Sequence, residues 1–280
     1  MSEQPSERPP PLIGDPRLGV FETVLVAGGV GVDLGAHVVR MDRSVRALYR
    51  QELPREVLAA ARATAEQSGQ TGRMRMTVRP AGGRPLQHSV NIQPASRRLS
   101  NTSTRPGAEL AVVVTRNGLG PHKLVDRSIL EQWRDAHGDT GTKQLLLIGP
   151  DGAVLEAERA NVFAVVDGTL ITPSADGRIL AGIVRAAILS IARDLCIPTA
   201  IAPLSLEQLG RAHEVFLTNS IEGVQPMMSC DGVGRWTAGA VTLRLRQALV
   251  ARWLRQAPAH SGEGAWQHDG GQRLRPANRL

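Results

Sequence analysis

The chain has 280 residues, 42% of them hydrophobic, which is enough for one large domain or two modest ones with buried cores. Its formal charge of +7 comes almost wholly from arginine, but the arginines are scattered and aromatic residues make up 3%, so the basic run interleaved with stacking side chains that marks a nucleic-acid surface is missing. No apolar run approaches the roughly 18 residues of a membrane span, and the start, MSEQPSERPPP, lacks the apolar centre of a secretory signal; the sequence therefore predicts a cytoplasmic protein with no membrane partner.

Residues 1–17, rich in Pro, Ser and charge, predict a poorly ordered N-terminal segment. Residues 21–26 read as a strand that Gly28 and Gly29 turn back towards a hairpin partner at 30–34. Val38, Met41, Val45 and Leu48 recur at helical spacing and predict a helix over 37–53. Pro54 opens a second helix, 55–67, closed by Gly69 and Gly72. Strands follow at 74–79, 89–93 and 110–115, completing a small α/β domain over 18–116. The breaker cluster from Asn117 to Pro121 predicts an interdomain linker over 117–122. A larger domain, 123–255, begins with a helix at 128–136, a strand at 145–148 and a turn at Pro150-Asp151-Gly152. A strand from Leu155 and a turn at Asp167-Gly168 lead into a second strand, and then a helix at 183–195. A short helix at 205–209, a strand at 215–218 and a last helix at 239–253 complete the domain. Gly, His, Gln and Pro dominate 256–280, predicting a disordered tail. Cys196 and Cys230 have no metal-ligand spacing, so neither a metal site nor a disulfide is expected.

The residues that carry chemistry lie on either side of the strand at Leu155. Of 33 basic residues only Lys123 and Lys143 are lysine. Lys143 stands in a polar loop and reads as a solvated cation, whereas a chain so averse to lysine has reason to keep Lys123 for its amine. A partly desolvated amine loses its proton and serves as nucleophile and base. Glu156 and Glu158 occupy one face of the strand, with Leu155 opposite, and parity does not choose between them. A carboxylate there pairs with a protonated ring nitrogen. The start of the 183–195 helix offers the free amides of Gly182, Ile183 and Val184 to a phosphate. Asn219 and Ser220, at the polar end of a strand, and the fork of Arg40 add further donors. A lysine, a carboxylate and a phosphate-binding helix start together point to pyridoxal 5′-phosphate (PLP).

In combination these segments resemble the class IV aminotransferase family, the fold-type-IV PLP enzymes. Phe21-Glu22-Thr23 is similar to the family's FET strand, and His37-Val38-Val39-Arg40-Met41-Asp42-Arg43-Ser44 to its H-x-x-R-L-x-x-S helix. His122-Lys123 with Arg127 resembles the cofactor-lysine segment, and Glu156 through Phe163 the E-x-x-x-x-N-x-F signature, which brings in Asn161 and selects Glu156 over Glu158. Leu180 through Arg185 is similar to L-x-G-I-T-R, with Val184 in place of Thr, and Glu214 through Ser220 to the last phosphate-binding strand.

The resemblance implies an α+β fold of two domains, like D-amino-acid aminotransferase, a small α/β sandwich beside a larger pseudo-barrel with PLP between them. It implies a homodimer and a covalent link from Lys123 to the cofactor aldehyde. Arg40, Asn161, Gly182, Ile183, Val184, Asn219 and Ser220 would surround the cofactor, and Glu156 would face its pyridine nitrogen.

Two reactions diverge from that site. Asn219-Ser220 followed by Gly223-Val224 and Pro226, and the apolar Val184, favour the lyase branch, which releases pyruvate from 4-amino-4-deoxychorismate. Its anionic amino substrate needs arginines at the entrance, and Arg97, Arg98 and Arg105 are the candidates. The alternatives are a transaminase acting on D-amino acids, branched-chain L-amino acids or amines, a family member that binds PLP without catalysis, and a basic nucleic-acid-binding protein. The last would bind DNA in a salt-dependent way and show no visible absorbance.

Overall fold

Strand β1 (Val20–Ala27) decides how the first sheet is used. Its even-numbered residues Val20, Val24 and Val26 face an apolar layer, while Leu25 and Ala27 turn to a second core on the opposite side. In the computed structural model, which describes residues 13–69, 71–82, 84–94, 108–136 and 143–257, β1 is central in an antiparallel sheet. The order is β2 (Val30–Gly31), β1, β3 (Gly72–Ala81), β4 (Arg84–Pro94). Along β3, Met74, Met76 and Val78 are buried while Arg73, Arg75 and Arg79 are exposed, the period of two expected of a strand with one apolar face. Helices α1 (Leu34–Tyr49) and α2 (Glu56–Ser68) cover that face with Met41, Val45, Val57, Ala61 and Ala65. Helix α1 stops short of the predicted residue 53 because Arg50 takes a left-handed conformation (φ 56°) and closes on the Arg46 carbonyl.

Two five-stranded sheets form the rest. One runs β14 (Gly234–Arg235), β13 (Ser229–Cys230), β5 (Glu109–Val114), β6 (Gln144–Ile148), β7 (Val154–Ala157). The other runs β10 (Thr199–Ile201), β9 (Thr169–Thr172), β8 (Asn161–Val166), β11 (Glu214–Asn219), β12 (Gly223–Pro226). Leu110, Leu146, Val154 and Ala157 of the first meet Val162, Ala164, Val215 and Leu217 of the second in one core. The other face of the second sheet packs Phe163, Val165 and Phe216 against α4 (Ile183–Asp194) and α6 (Ala240–Leu254), with the two phenyl rings stacked at 5.1 Å. Strand β8 is therefore buried on both faces, as its uninterrupted apolar run requires. Helix α3 (Ser128–Ala136) lies outside the first of these sheets, and α5 (Leu206–Arg211) begins with a capping box between Ser205 and Gln208. This is the expected α+β arrangement, a small sheet-and-helix layer beside a larger barrel-like pair of sheets.

The sheets are divided differently from the sequence reading. Residues 110–115 were expected in the small domain that ends at 116. Instead β5 pairs in parallel with β6, Leu110 opposite Gln144, and with β13, Ser229 opposite Glu109. The change of sheet falls between Pro94 and Glu109, before β5 rather than after it. An apolar run such as Leu110-Ala111-Val112-Val113 specifies a buried strand and carries no information about its partner. The short strands β10, β12, β13 and β14 were not anticipated either. Part of the N-terminal segment is ordered, a 3-10 turn over Pro16–Leu18 capped by Asp15; residues 1–12 and 258–280 lie outside the described residues. Among the described residues no helix is long and apolar enough to cross a membrane.

Candidate active site

Lys123 is held against the small sheet by backbone bonds. Phe21 donates its N–H to the Lys123 carbonyl at 2.9 Å, and Val125 donates to Gly19 at 2.9 Å, so the lysine segment runs alongside the start of β1. The preceding linker is fixed to the other unit, where Gly120 donates to the Arg178 carbonyl at 3.0 Å. Gly118 sits at φ +63° with its α-carbon against that same carbonyl, a position no side chain fits. The amine of Lys123 lies 4.9 Å from the Phe21 ring centre, and the same ring has Arg75 at 3.8 Å and Arg127 at 5.4 Å.

Glu156 reaches the site through a bulge. A strict alternation from Leu155 would put Glu156 on the side of Val154, in the apolar core. The register shifts opposite Leu147 and Ile148, leaving Leu155 as an extra residue, so that Val154 and Ala157 share the core while Glu156 turns to the cavity. The predicted opposition of Leu155 and Glu156 is thus replaced by a bulge that re-aims the carboxylate. One oxygen of Glu156 accepts from the Leu180 amide at 3.2 Å, while the buried Oε1 has no protein partner. Glu158 is also buried beside the cavity, and one of its oxygens is ion-paired with Arg134 of α3.

The nine residues expected at the cofactor come together. Arg40, Lys123, Glu156, Asn161, Gly182, Ile183, Val184, Asn219 and Ser220 all line one cavity. They contribute in different ways. Helix α4 begins at Gly182 with no side chain capping its first amides, which leaves donors free at the cavity. Asn161 donates to the Leu180 carbonyl at 2.9 Å and its Oδ1 fills the space where a Cβ of residue 182 would stand, so only glycine fits there. Asn219 spends its side-chain oxygen on the amides of Ile221 and Glu222, at 2.9 and 2.8 Å, and so shapes the loop that carries Ser220. Val184 packs into the core beneath α4. Arg185 is likewise buried, donating to the Pro173 carbonyl at 2.8 Å, and anchors the helix start to the end of β9. Sequence reasoning gave no role to Thr218, whose buried hydroxyl lines the cavity without a partner, nor to Arg75. Arg97, Arg98 and Arg105 lie outside the described residues. Lys143 is not a lone solvated cation, being ion-paired with Asp231 and 3.8 Å from Glu109.

The electrostatics suit the expected chemistry. Burial pulls the Lys123 amine down to about 7, helped by the Arg127 and Arg40 charges and opposed by Glu22 and Glu156. Burial pushes the Glu156 carboxyl up to about 8 against the Leu180 amide, Arg127 and Lys123. The orphaned Glu156 Oε1, the uncapped amides of α4 and the unpaired Thr218 hydroxyl are the groups that a protonated ring nitrogen and a phosphate would satisfy, so the residues fit PLP.

The same two shifts predict how the cofactor-free protein responds to pH. Glu156, raised from 4.5 to about 8, stabilises the fold fully below pH 4.5 and loses that contribution as pH rises through 8. Lys123, lowered from 10.5 to about 7, contributes fully above pH 10.5 and loses it as pH falls through 7. The pair's contribution is then lowest between about pH 7 and 8 and recovers on either side by roughly 1 kcal/mol per pH unit. Thermal melts across pH are expected to show this dip, with Glu156→Gln flattening its acid limb and Lys123→Met its alkaline limb. A dip of the same depth in both variants would refute the assignment.

The amino-transferase class IV family model matches residues 19–230. The chain belongs to the class IV aminotransferase family. A class IV aminotransferase is a PLP enzyme. A segment of 113 residues is 35% identical to a probable branched-chain-amino-acid aminotransferase of Synechocystis sp., covering 40% of this chain and 37% of that protein. The match thus spans little more than a third of that curated relative. Among solved structures, the PLP-bound form of a hypothetical aminotransferase from Mycobacterium tuberculosis has a TM-score of 0.75 at 21% identity, covering 90% of this chain and 96% of that one, a likeness of fold. The 4-amino-4-deoxychorismate lyase of Pseudomonas aeruginosa has a TM-score of 0.69 at 26% identity, covering 83% of this class IV aminotransferase and 90% of the lyase.

Proposed function

We propose that this class IV aminotransferase acts on an anionic amino substrate and releases pyruvate from 4-amino-4-deoxychorismate, leaving 4-aminobenzoate. The observation that carries the substrate class is the cationic wall beside Lys123. Arg75 and Arg127 flank the Phe21 ring that also meets the lysine, and Arg127 and Arg159 line the cavity. Burial lowers the affinity of Arg127 for its proton, Glu156 and Glu158 oppose this, and Arg159 and Arg75 add to it. Like charges gathered in this way are relieved by an anion, and a guanidinium fork suits a carboxylate. The choice of the lyase rests on the Asn219-Ser220 loop and Val184. A homodimer in the cytoplasm is proposed on the family resemblance.

When bound, PLP supplies a ring that accepts the electrons released as a proton leaves the carbon bearing the substrate nitrogen. Lys123, whose amine is drawn down to about 7 so that a large fraction is neutral at that pH, takes that proton. Glu156 Oε1 shares the proton of the ring nitrogen and keeps the ring cationic. Arg40, the Ile183 and Val184 amides and the Thr218 and Ser220 hydroxyls hold the phosphate, while Asn161, Gly182 and Asn219 keep those donors in place. Arg127, with Arg75 and Arg159, holds a substrate carboxylate. With the proton gone, the bond from the ring to the enolpyruvyl oxygen breaks and its electron pair leaves with the oxygen. The six-membered ring becomes aromatic, and protonation of the enol carbon gives pyruvate. Neither an oxidant nor a second substrate is consumed.

Purified enzyme given 4-amino-4-deoxychorismate without any keto acid is expected to form pyruvate and 4-aminobenzoate in equal amounts; no pyruvate would overturn the lyase reading. Amino transfer is the second reading, favoured by the likeness of a 113-residue segment to the probable branched-chain-amino-acid aminotransferase of Synechocystis. It requires turnover of D-alanine or a branched-chain amino acid that depends on added 2-oxoglutarate.

A further inference from the structure

Glu22 is a carboxylate on the apolar face of β1, directly beneath α1, and only 1% exposed. It is fully engaged. Arg40 donates to Oε1 through Nε and to Oε2 through Nη2, both at 2.7 Å, and His37 Nδ1 meets Oε2 at 2.7 Å. The carboxyl is held down to about 2 by the Arg40 charge and by these bonds, in spite of its burial. Burial keeps His37 on the neutral side, so its Nδ1 hydrogen is the one donated. Arg40 makes one more bond, from Nη1 to the Ala181 carbonyl at 3.0 Å, which links α1 to the loop that opens α4. Three of the five guanidinium N–H groups are thereby committed, and the plane of the fork is set from both sides. Two N–H groups are left for an anion in the cavity that Arg40 lines.

We infer that Glu22 is a positioning residue for the cofactor phosphate, acting through Arg40: it holds the guanidinium so that its two remaining N–H groups meet the phosphate beside the start of α4. This rests on the proposed role of Arg40. The geometry also makes the claim distinguishable from simple charge balance. Glu22 offsets the Arg40 charge, so its removal leaves the phosphate seat more positive, and Coulomb attraction by itself then predicts tighter PLP binding. Positioning predicts the opposite, because a freed Arg40 must be re-ordered each time the phosphate binds.

The test is a titration of cofactor-free protein with PLP and, separately, with pyridoxal, which lacks the phosphate, followed by visible absorbance. Glu22→Gln keeps the size of the side chain and is expected to weaken PLP binding about tenfold, in the range usual for outer residues that orient a ligand-binding group. Pyridoxal binding is expected to stay within about twofold of the parent, which general damage to the fold would not allow. Arg40→Met is expected to weaken PLP more, with pyridoxal again spared, and adding Glu22→Gln to it should cost no further phosphate-dependent affinity. Glu22→Asp, which keeps the charge on a shorter arm, should fall between parent and Glu22→Gln and provides a second measurement if the glutamine variant folds poorly. Tighter or unchanged PLP binding in Glu22→Gln, an equal loss for pyridoxal, or additivity in the double variant overturns the proposal. If Arg40→Met itself spares PLP, the role of Arg40 falls together with that of Glu22; if Arg40→Met discriminates and Glu22→Gln does not, only the role of Glu22 falls.

Discussion

Lys123→Met is expected to leave a folded, colourless protein with turnover reduced by at least about 10³-fold, in line with the loss of a general base and of the amine that holds the cofactor. The length of the side chain is kept in the change, while the amine that lies over the Phe21 ring is removed. The substitution also removes a buried amine that the fold keeps close to neutral, and the cofactor-free variant should melt higher than its parent near pH 7. A rise in stability joined to a loss of function separates chemistry from misfolding. Lys143→Met provides the control, since Lys143 pairs with Asp231 and does not line the cavity; its activity should be unchanged. Retention of colour and turnover in Lys123→Met would remove the basis of the proposed reaction.

Glu156→Gln is expected to retain PLP but to lower kcat by about 10² to 10³, the usual consequence of removing one group that stabilises developing charge in a water-poor site. The amide keeps the bond from Leu180 and the volume, and it cannot sustain a negative charge beside the ring nitrogen. The matching change Glu158→Gln weakens the ion pair with Arg134 and should lower thermal stability more than it lowers kcat. Comparing kcat in the two variants decides between two carboxylates that lie two residues apart and border the same cavity. A larger loss in Glu158→Gln would transfer the ring-nitrogen role to Glu158.

Much of the site was legible in one dimension because its donors are local. The uncapped start of α4 follows from Gly182 and the helical period after it, and the capping box of α5 from Ser205 and Gln208. Lys123 stood out by its rarity. Glu22, in contrast, was visible as a carboxylate in an apolar strand, but nothing local named its partners, which lie 15 and 18 residues away on α1. The same holds for Arg75, whose neighbour Phe21 is reached only once β1 and β3 pair. Arg185 shows the opposite outcome: a charged residue in a phosphate motif whose side chain is drawn away to the Pro173 carbonyl.

Taken alone, the order of residues determined the helices and the longer strands and singled out the candidate cofactor residues, because hydrophobic period, helix-start chemistry and motif spacing are local properties of the chain. The tertiary structure alone decided that β5 joins the larger sheets, that a bulge at Leu155 turns Glu156 out of the core, and that Glu22 locks Arg40. Each of these depends on hydrogen bonds between segments distant in sequence, and a burial pattern records which face is covered without recording by what.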